Sequence, residues 1–231
     1  MKKIGALMLM GSMIVLMSGC LKDGSTNQVP VAQTSVSFYD ADPDGNTLGI
    51  IMNGTQINSV AFQYKTYTGY ATIEPGVKTL KFTSVSTTNS LHDTTYTLAA
   101  FKAYSVFVSK RPNTATLTSV LTDNSGVIST TGNTLIRFAN MSPDSPALDI
   151  KIVGQETKPI AVGLRYLQVG NYVEFASSDD TVEIRRSSDG HLVQSIALTS
   201  LTGGTFQTII LSGYNVPPPG NLNSLSIKVV R

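Results

Sequence analysis

The stretch SVSFYDADPDGNTLGIIMNG, beginning at Ser35, is answered by LIRFANMSPDSPALDIKIVG, beginning at Leu135. The two align without a gap, 100 residues apart. Phe38, Pro43, Asp44, Leu48, Ile50 and Gly54 recur as Phe138, Pro143, Asp144, Leu148, Ile150 and Gly154. Similarity returns near the ends, where AYSVFVSKRP from Ala103 matches TFQTIILSGYNVPPP from Thr205. Each is an alternating segment, then a proline break, then a last strand-like run: ATLTSVLTD in the first copy and SLSIKVVR in the second. A unit that repeats at this length has to fold twice, so the chain is expected to be built from two similar modules.

The periodicity is that of strands. Leu148, Ile150 and Ile152 fall on one face of an extended chain, and Asp149 and Lys151 on the other. Val182 and Ile184 alternate with Thr181, Glu183 and Arg185 in the same way. Turn dipeptides recur at Asp44-Gly45, Asn53-Gly54, Pro75-Gly76, Asp189-Gly190 and Gly203-Gly204. No segment carries a sustained helical stripe. The pattern predicts an all-β chain of two tandem immunoglobulin-like antiparallel β-sandwich domains, over 34–123 and 134–231. The Gly, Ser and Thr-rich stretch 124–133 is the expected linker. The chain has no tryptophan and a single cysteine, so the disulfide and tryptophan of antibody domains are excluded.

The N-terminus reads as an export signal. Met1-Lys2-Lys3 is basic, Ile4 to Met17 is uncharged and apolar, and Ser18-Gly19 leads to Cys20. An apolar run of this length suits a signal peptide, whereas a membrane-spanning helix needs about 20 residues. Small residues before a cysteine resemble the bacterial lipobox, with Met17 where Leu is usual. The expected signal peptide is 1–19, and Cys20 is the expected lipidation site. Three acyl chains would anchor the protein durably, at about 0.8 kcal/mol per buried CH2. An ordinary signal peptide with a stray cysteine is the alternative. Residues 20–33 then form a polar, flexible tether. Lys22-Asp23 resembles the short charged tag of surface lipoproteins in Bacteroidota, which implies an outer-membrane, lipid-anchored protein at the cell surface. Removing Lys2 and Lys3 leaves fifteen basic against fifteen acidic residues. That balance offers no field to attract nucleic acid.

IRFANMSPDSPALDIKIVG resembles the signature of a bacterial family catalogued as domain of unknown function 4397. Ser142, Pro143, Asp144, Ser145, Pro146, Ala147, Leu148, Asp149 and Gly154 carry the likeness. The first copy retains Pro43, Asp44, Leu48 and Gly54, but Gly45-Asn46 replace the Ser-Pro pair and Gly49 replaces the aspartate. The resemblance implies exported β-sandwich modules, often on lipoproteins. It implies no catalytic residue and no cofactor.

Four stretches invite a functional reading. DADPDGN begins like a calcium loop, with Asp40, Asp42 and Asp44 at alternating positions and Gly45 after them. The twelfth position is Ile51, which cannot ligate, and the second copy has NMSPDSP instead. A turn is therefore the default reading, with calcium in the first copy as the alternative. FQYKTYTGY concentrates Phe62, Tyr64, Tyr67 and Tyr70. These rings are expected either to pack, with Phe62 and Tyr64 on one strand face and Tyr67 or Tyr70 in a sandwich corner, or to form an aromatic binding surface confined to the first copy. Pro217-Pro218-Pro219 is expected to be a stiff loop, and Arg185-Arg186 to lie at a solvated sheet edge.

Enzymatic signals are sparse. His92 and His191 do not coincide between copies, and no G-x-S-x-G element or phosphate-binding glycine loop appears. The expected function is a non-catalytic binding or adhesion module for a protein or glycan partner. The alternatives are a structural accessory subunit or spacer of an outer-membrane assembly, and a hydrolase assembled from distant residues.

Overall fold

Alternation of β-branched and aromatic residues with small polar ones produces strands, and short glycine or proline turns end them. The computed structural model describes residues 31–231 except 88, 112, 113, 115, 126–131, 156, 177–179 and 198–203. The expected signal segment, Cys20, almost all of the tether and the middle of the linker lie outside the described residues. Among the described residues there is no helix, and the chain is all-β.

The first copy contributes β1 (Thr34–Asp40), β2 (Leu48–Met52), β3 (Thr55–Gln56), β4 (Ala71–Ile73), β5 (Gly76–Ser84), β6 (Ser90–Leu98), β7 (Ala103–Lys110) and β8 (Leu117–Asp123). The second contributes β9 (Asn133–Asn140), β10 (Leu148–Ile152), β11 (Ala161–Leu164), β12 (Gln168–Val169), β13 (Val173–Ala176), β14 (Thr181–Arg186), β15 (Leu192–Ala197), β16 (Phe206–Ser212) and β17 (Ser226–Val230).

The sheets repeat as the sequence does. In the first copy they run β4-β1-β7-β8 and β3-β2-β5-β6. In the second they run β12-β9-β16-β17, with β13 also on β9, and β11-β10-β14-β15. Most pairings are antiparallel, but β1 pairs with β7 in parallel, and β9 does so with β16. Within each copy the two sheets face each other over an apolar core. Phe38, Leu48, Ile50, Phe62, Phe82 and Val106 fill the first, and Phe138, Leu148, Ile150, Phe175, Ile184 and Ile209 the second. The glycines ending the aligned stretches, Gly54 and Gly154, both take φ of 81°, a left-handed turn that explains their recurrence.

A third core lies between the copies. Tyr39, Ala41 and Phe107 pack with Ala139, Met141, Ile210 and Val230. Tyr39 and Phe107 sit on the backs of β1 and β7, Ala139 and Ile210 on those of β9 and β16, with Ala41 and Met141 just past the ends of β1 and β9 and Val230 on β17. Those strands are consequently buried on both faces, whereas β5 alternates between exposed and buried positions. Burying each large side chain here contributes about 1.5–3 kcal/mol, so the backs of the two inner sheets are held firmly together. Residues Ala32–Arg231 accordingly form one compact unit.

One expectation is corrected by the topology. Arg185-Arg186 lies on β14, which has β10 on one side and β15 on the other, so it is not at a sheet edge. Arg185 donates to Glu183 within its own strand (2.8 Å), and Arg186 donates to Asp189 in the following turn (3.0 Å). Local ion pairs, not an edge position, keep these guanidinium groups solvated.

Candidate functional site

The interface between the copies is built from matched residues. Lys65 and Leu167 both adopt positive φ, at 68° and 63°. Their amides donate to the carbonyls of Asp40 and Asn140, at 2.7 and 2.8 Å. Each strained residue follows a tyrosine that crosses to the other copy. Tyr64 accepts from Ser212 (3.3 Å), and Tyr166 donates to Ser109 (3.0 Å). Ser109 and Ser212 hold equivalent places on β7 and β16, so the contact is reciprocal. Burial drives the Tyr166 hydroxyl pKa upward, keeping it a neutral donor.

Along this interface opens a cleft of about 370 Å³. Its rings are Tyr67 and Tyr70 from the first copy and Tyr172 and Phe206 from the second. Ser105, Asn124, Thr205, Thr208 and Arg231 supply its polar groups. Tyr70 and Phe206 are 44% and 37% exposed, so their rings face solvent. Tyr172 and Phe206 meet edge to face at 5.6 Å. Asn124 donates to Tyr70 (2.6 Å) and to Ser105 (2.8 Å), fixing both. Tyr67 donates to the carbonyl of Arg231 (2.8 Å), and desolvation pushes its pKa up to about 12.

Behind the cleft wall lies Arg137 of β9, 2% exposed. Its Nε donates to Thr208 (2.9 Å) and its Nη1 to Thr122 (3.1 Å). Its guanidinium carbon stands 4.5 Å from the centre of the Tyr172 ring, a cation–π contact. Desolvation lowers the Arg137 pKa, opposed mainly by Tyr172.

The aspartates of DADPDGN are used differently. Asp40 and Asp42 are fully buried. Asp40 Oδ1 accepts the Asp42 amide (2.8 Å), and Asp42 Oδ1 accepts the Asp44 amide (3.1 Å). Asp42 Oδ2 also accepts from Asn46 (2.7 Å). These are successive side-chain caps on a turn at Pro43-Asp44. Asp44 reaches across to the second copy, accepting from Tyr214 (2.6 Å), and pairs with Lys110 (2.7 Å). Burial raises the pKa of both Asp40 and Asp42. Among the described residues, no group of three or more His, Cys, Asp or Glu side chains is placed to hold a metal ion. His92 stacks on Phe82 in the first copy, while His191 is exposed in the second.

The aromatic stretch is divided. Phe62 is buried in the first core, and Tyr64 spans the interface. They do not share a strand face, because the chain turns at Tyr64-Lys65. Tyr67 and Tyr70 line the cleft, where Tyr172 and Phe206 of the second copy join them. Arg137 and Phe206 escaped the sequence reading. The signal for Arg137 was present: a lone cation inside the apolar run LIRFA, where the first copy has Ser37.

A comparison with solved structures finds several matches at low similarity. One is the fimbrial anchor protein Mfa2 from Porphyromonas gingivalis, at 7% identity and a TM-score of 0.28, covering 85% of this chain and 97% of that one. Another is CBMbc from Eubacterium rectale Amy13K, in complex with maltoheptaose, at 11% identity and a TM-score of 0.27, covering 86% and 96%. A putative adhesin from Bacteroides ovatus gives 11% identity and a TM-score of 0.27, covering 90% and 95%. No curated protein matches the chain by sequence. Residues 34–151 match the family described as "Domain of unknown function (DUF4397)", a span that takes in the whole first copy, β9 and nearly all of β10. That span is more than half of the sequence, and the chain belongs to the DUF4397 family.

Proposed function

We propose that the chain is a non-catalytic binding module of the bacterial cell envelope, with the cleft between its two copies as the ligand site. The observation that carries this reading is the cleft itself: four aromatic rings from both copies around a few fixed hydroxyl and amide groups. Sites of about 300–1,000 Å³ with mostly apolar walls and a few oriented polar groups are the usual form of a small-ligand pocket. Exposed tyrosine and phenylalanine rings stack on flat apolar faces, as sugars and partner side chains offer. The ligand is a glycan or a protein segment that presents such a face.

Two further parts belong to the proposal. Residues 34–123 and 134–231 are the two domains, which act as one body because their inner sheets share a core. A lipid on Cys20 holds this body to the outer membrane through the tether 20–33, facing the cell exterior. The lipobox-like Ser18-Gly19-Cys20 supports the anchor.

Titration of the purified full-length chain with a panel of soluble glycans and peptides tests the site. Tyr70→Ala and Phe206→Ala are expected to weaken any ligand's binding at least tenfold, since stacking contributes about 1–3 kcal/mol per ring. Unchanged binding in both variants would place the ligand elsewhere. Turnover of any panel member that is abolished by one polar substitution would replace the binding reading with an enzymatic one.

A further inference from the structure

The buried cation beside the cleft has no acidic partner among the described residues. Arg137 contacts two threonine hydroxyls and one ring, and its Nη2 has no hydrogen-bond partner among the described residues. A buried charge left in this state is destabilising, because desolvation is not offset by an opposite charge. The fold itself does not require an arginine there. The equivalent position in the first copy is Ser37, which shares a 3.0 Å hydrogen bond with Ser105. Ser105 and Thr208 correspond on β7 and β16. A small hydroxyl therefore satisfies the same site in one copy, and the second copy replaces it with a guanidinium.

A second unpaired group lies at the same cleft. Asn124 Oδ1 is a buried acceptor without a partner among the described residues, although its amide nitrogen donates to Tyr70 and Ser105. One unused neutral acceptor thus belongs to a cleft-lining residue, and one unused cationic donor lies behind the cleft wall. Between the cleft and Arg137 stand Tyr172 and Thr208, whose hydroxyls are 3.5 Å apart. That separation is beyond the usual 2.5–3.0 Å for hydroxyl pairs, so the two are joined here chiefly through Arg137, which donates to Thr208 and lies against the Tyr172 ring.

We propose that the cleft is specific for an acidic sugar, whose carboxylate takes the free Nη2 of Arg137 and whose hydroxyl donates to Asn124 Oδ1. The inference rests on the reading of the cleft as a ligand site and adds the chemistry of its ligand. The carboxylate enters where Tyr172 and Thr208 meet, and the sugar ring lies against Tyr70 and Tyr172. A guanidinium suits this task because its planar donors match a carboxylate. A sugar is favoured over a peptide end because the two unused groups call for one anion and one hydroxyl-type donor. The aromatic walls meanwhile call for a flat ring.

The test uses the full-length chain with D-glucuronate, D-glucose and a short peptide as free acid or C-terminal amide. Binding is followed by calorimetry and by the ligand-dependent rise in Tm. D-Glucuronate is expected to bind about tenfold or more tightly than D-glucose, the scale of one charged hydrogen bond. Arg137→Ser copies the residue the first copy already tolerates. It is expected to fold with an unchanged or higher Tm and to lose the preference for D-glucuronate. Tyr70→Ala is expected to weaken both sugars alike. Loss in Tyr70→Ala with equal affinity for the two sugars would overturn the acidic assignment while leaving the cleft as the binding site. A preference that survives Arg137→Ser, a collapse of folding in that variant, or binding of the free-acid peptide alone would also overturn it.

Discussion

Asp40→Asn should make the protein more stable at neutral pH. Asp40 is fully buried, and only one of its carboxylate oxygens is used, accepting the Asp42 amide at 2.8 Å. The other, Oδ2, has no partner among the described residues. In the second copy the same position is Asn140. There Oδ1 accepts the Ser142 amide, and Nδ2 donates to the carbonyl of Leu164 (3.2 Å). The matching carbonyl in the first copy is that of Phe62, since Leu48 pairs with Phe62 as Leu148 pairs with Leu164. Asparagine at position 40 keeps the acceptor and turns the orphan oxygen into a donor, for which the second copy's pattern supplies this carbonyl, already bonded to the Leu48 amide, as the acceptor. An unpaired buried acceptor costs about 1–3 kcal/mol, which sets the expected gain. For a body of this size that is a Tm increase of roughly 2–4 °C per kcal/mol.

The pH dependence gives the sharper check. Burial raises the folded-state pKa of Asp40, and the neighbouring Asp42 carboxylate adds to the rise. Between its unfolded value, about 3.9, and that raised value, the folded state holds a proton that the unfolded state has lost. Wild-type stability therefore falls as pH rises through this window, and Asp40→Asn has no such proton to lose. The variant's advantage should be small below about pH 4 and full once Asp40 is ionised in the folded state. Denaturant unfolding of both proteins across that range measures it. A variant that is less stable at neutral pH, or whose advantage does not change with pH, would refute the argument.

Three further outcomes follow from the same geometry. Gly213→Ala should destabilise strongly, because a Cβ there would lie 2.2 Å from the carbonyl oxygen of Ser224 and the residue has φ of 92°; thermal unfolding of the variant measures the loss. Cys20→Ala should move the protein from the detergent phase to the aqueous phase in a cloud-point partition of cell extracts, and an unchanged distribution would argue against a lipid on that residue. Ala139→Glu, at a fully buried position of the third core, should loosen the two copies from each other, since an unpaired carboxylate there costs several kcal/mol; faster proteolysis between 124 and 133 would report it.

Much of the architecture was legible in the chain. The recurrence of Phe38, Pro43, Asp44, Leu48, Ile50 and Gly54 announced two similar modules, because strand alternation and turn glycines are local properties. The alternation in LDIKI became β10, with Leu148, Ile150 and Ile152 in the second core. The site was less legible. Tyr67 and Tyr70 were visible as aromatics, but Phe62 and Tyr64 in the same stretch are taken up by a core and by the interface. Nothing local distinguishes these four rings; what separates them is the turn at Tyr64-Lys65 and the other copy's position.

Local chemistry, written along the chain, determined the strands, the turns, the repeat and the charge balance. Each depends only on residues within a few positions of one another or on simple counts. Tertiary structure alone decided that the backs of β1 and β7 pack on those of β9 and β16. It thereby brought Tyr70 and Tyr172 to one cleft, buried Arg137 beside it, and set Asp44 against Tyr214. The physical reason is that burial on a strand's second face depends on what arrives from far along the sequence. A strand segment such as FYDA or TIIL is compatible with several partners until one sheet meets another.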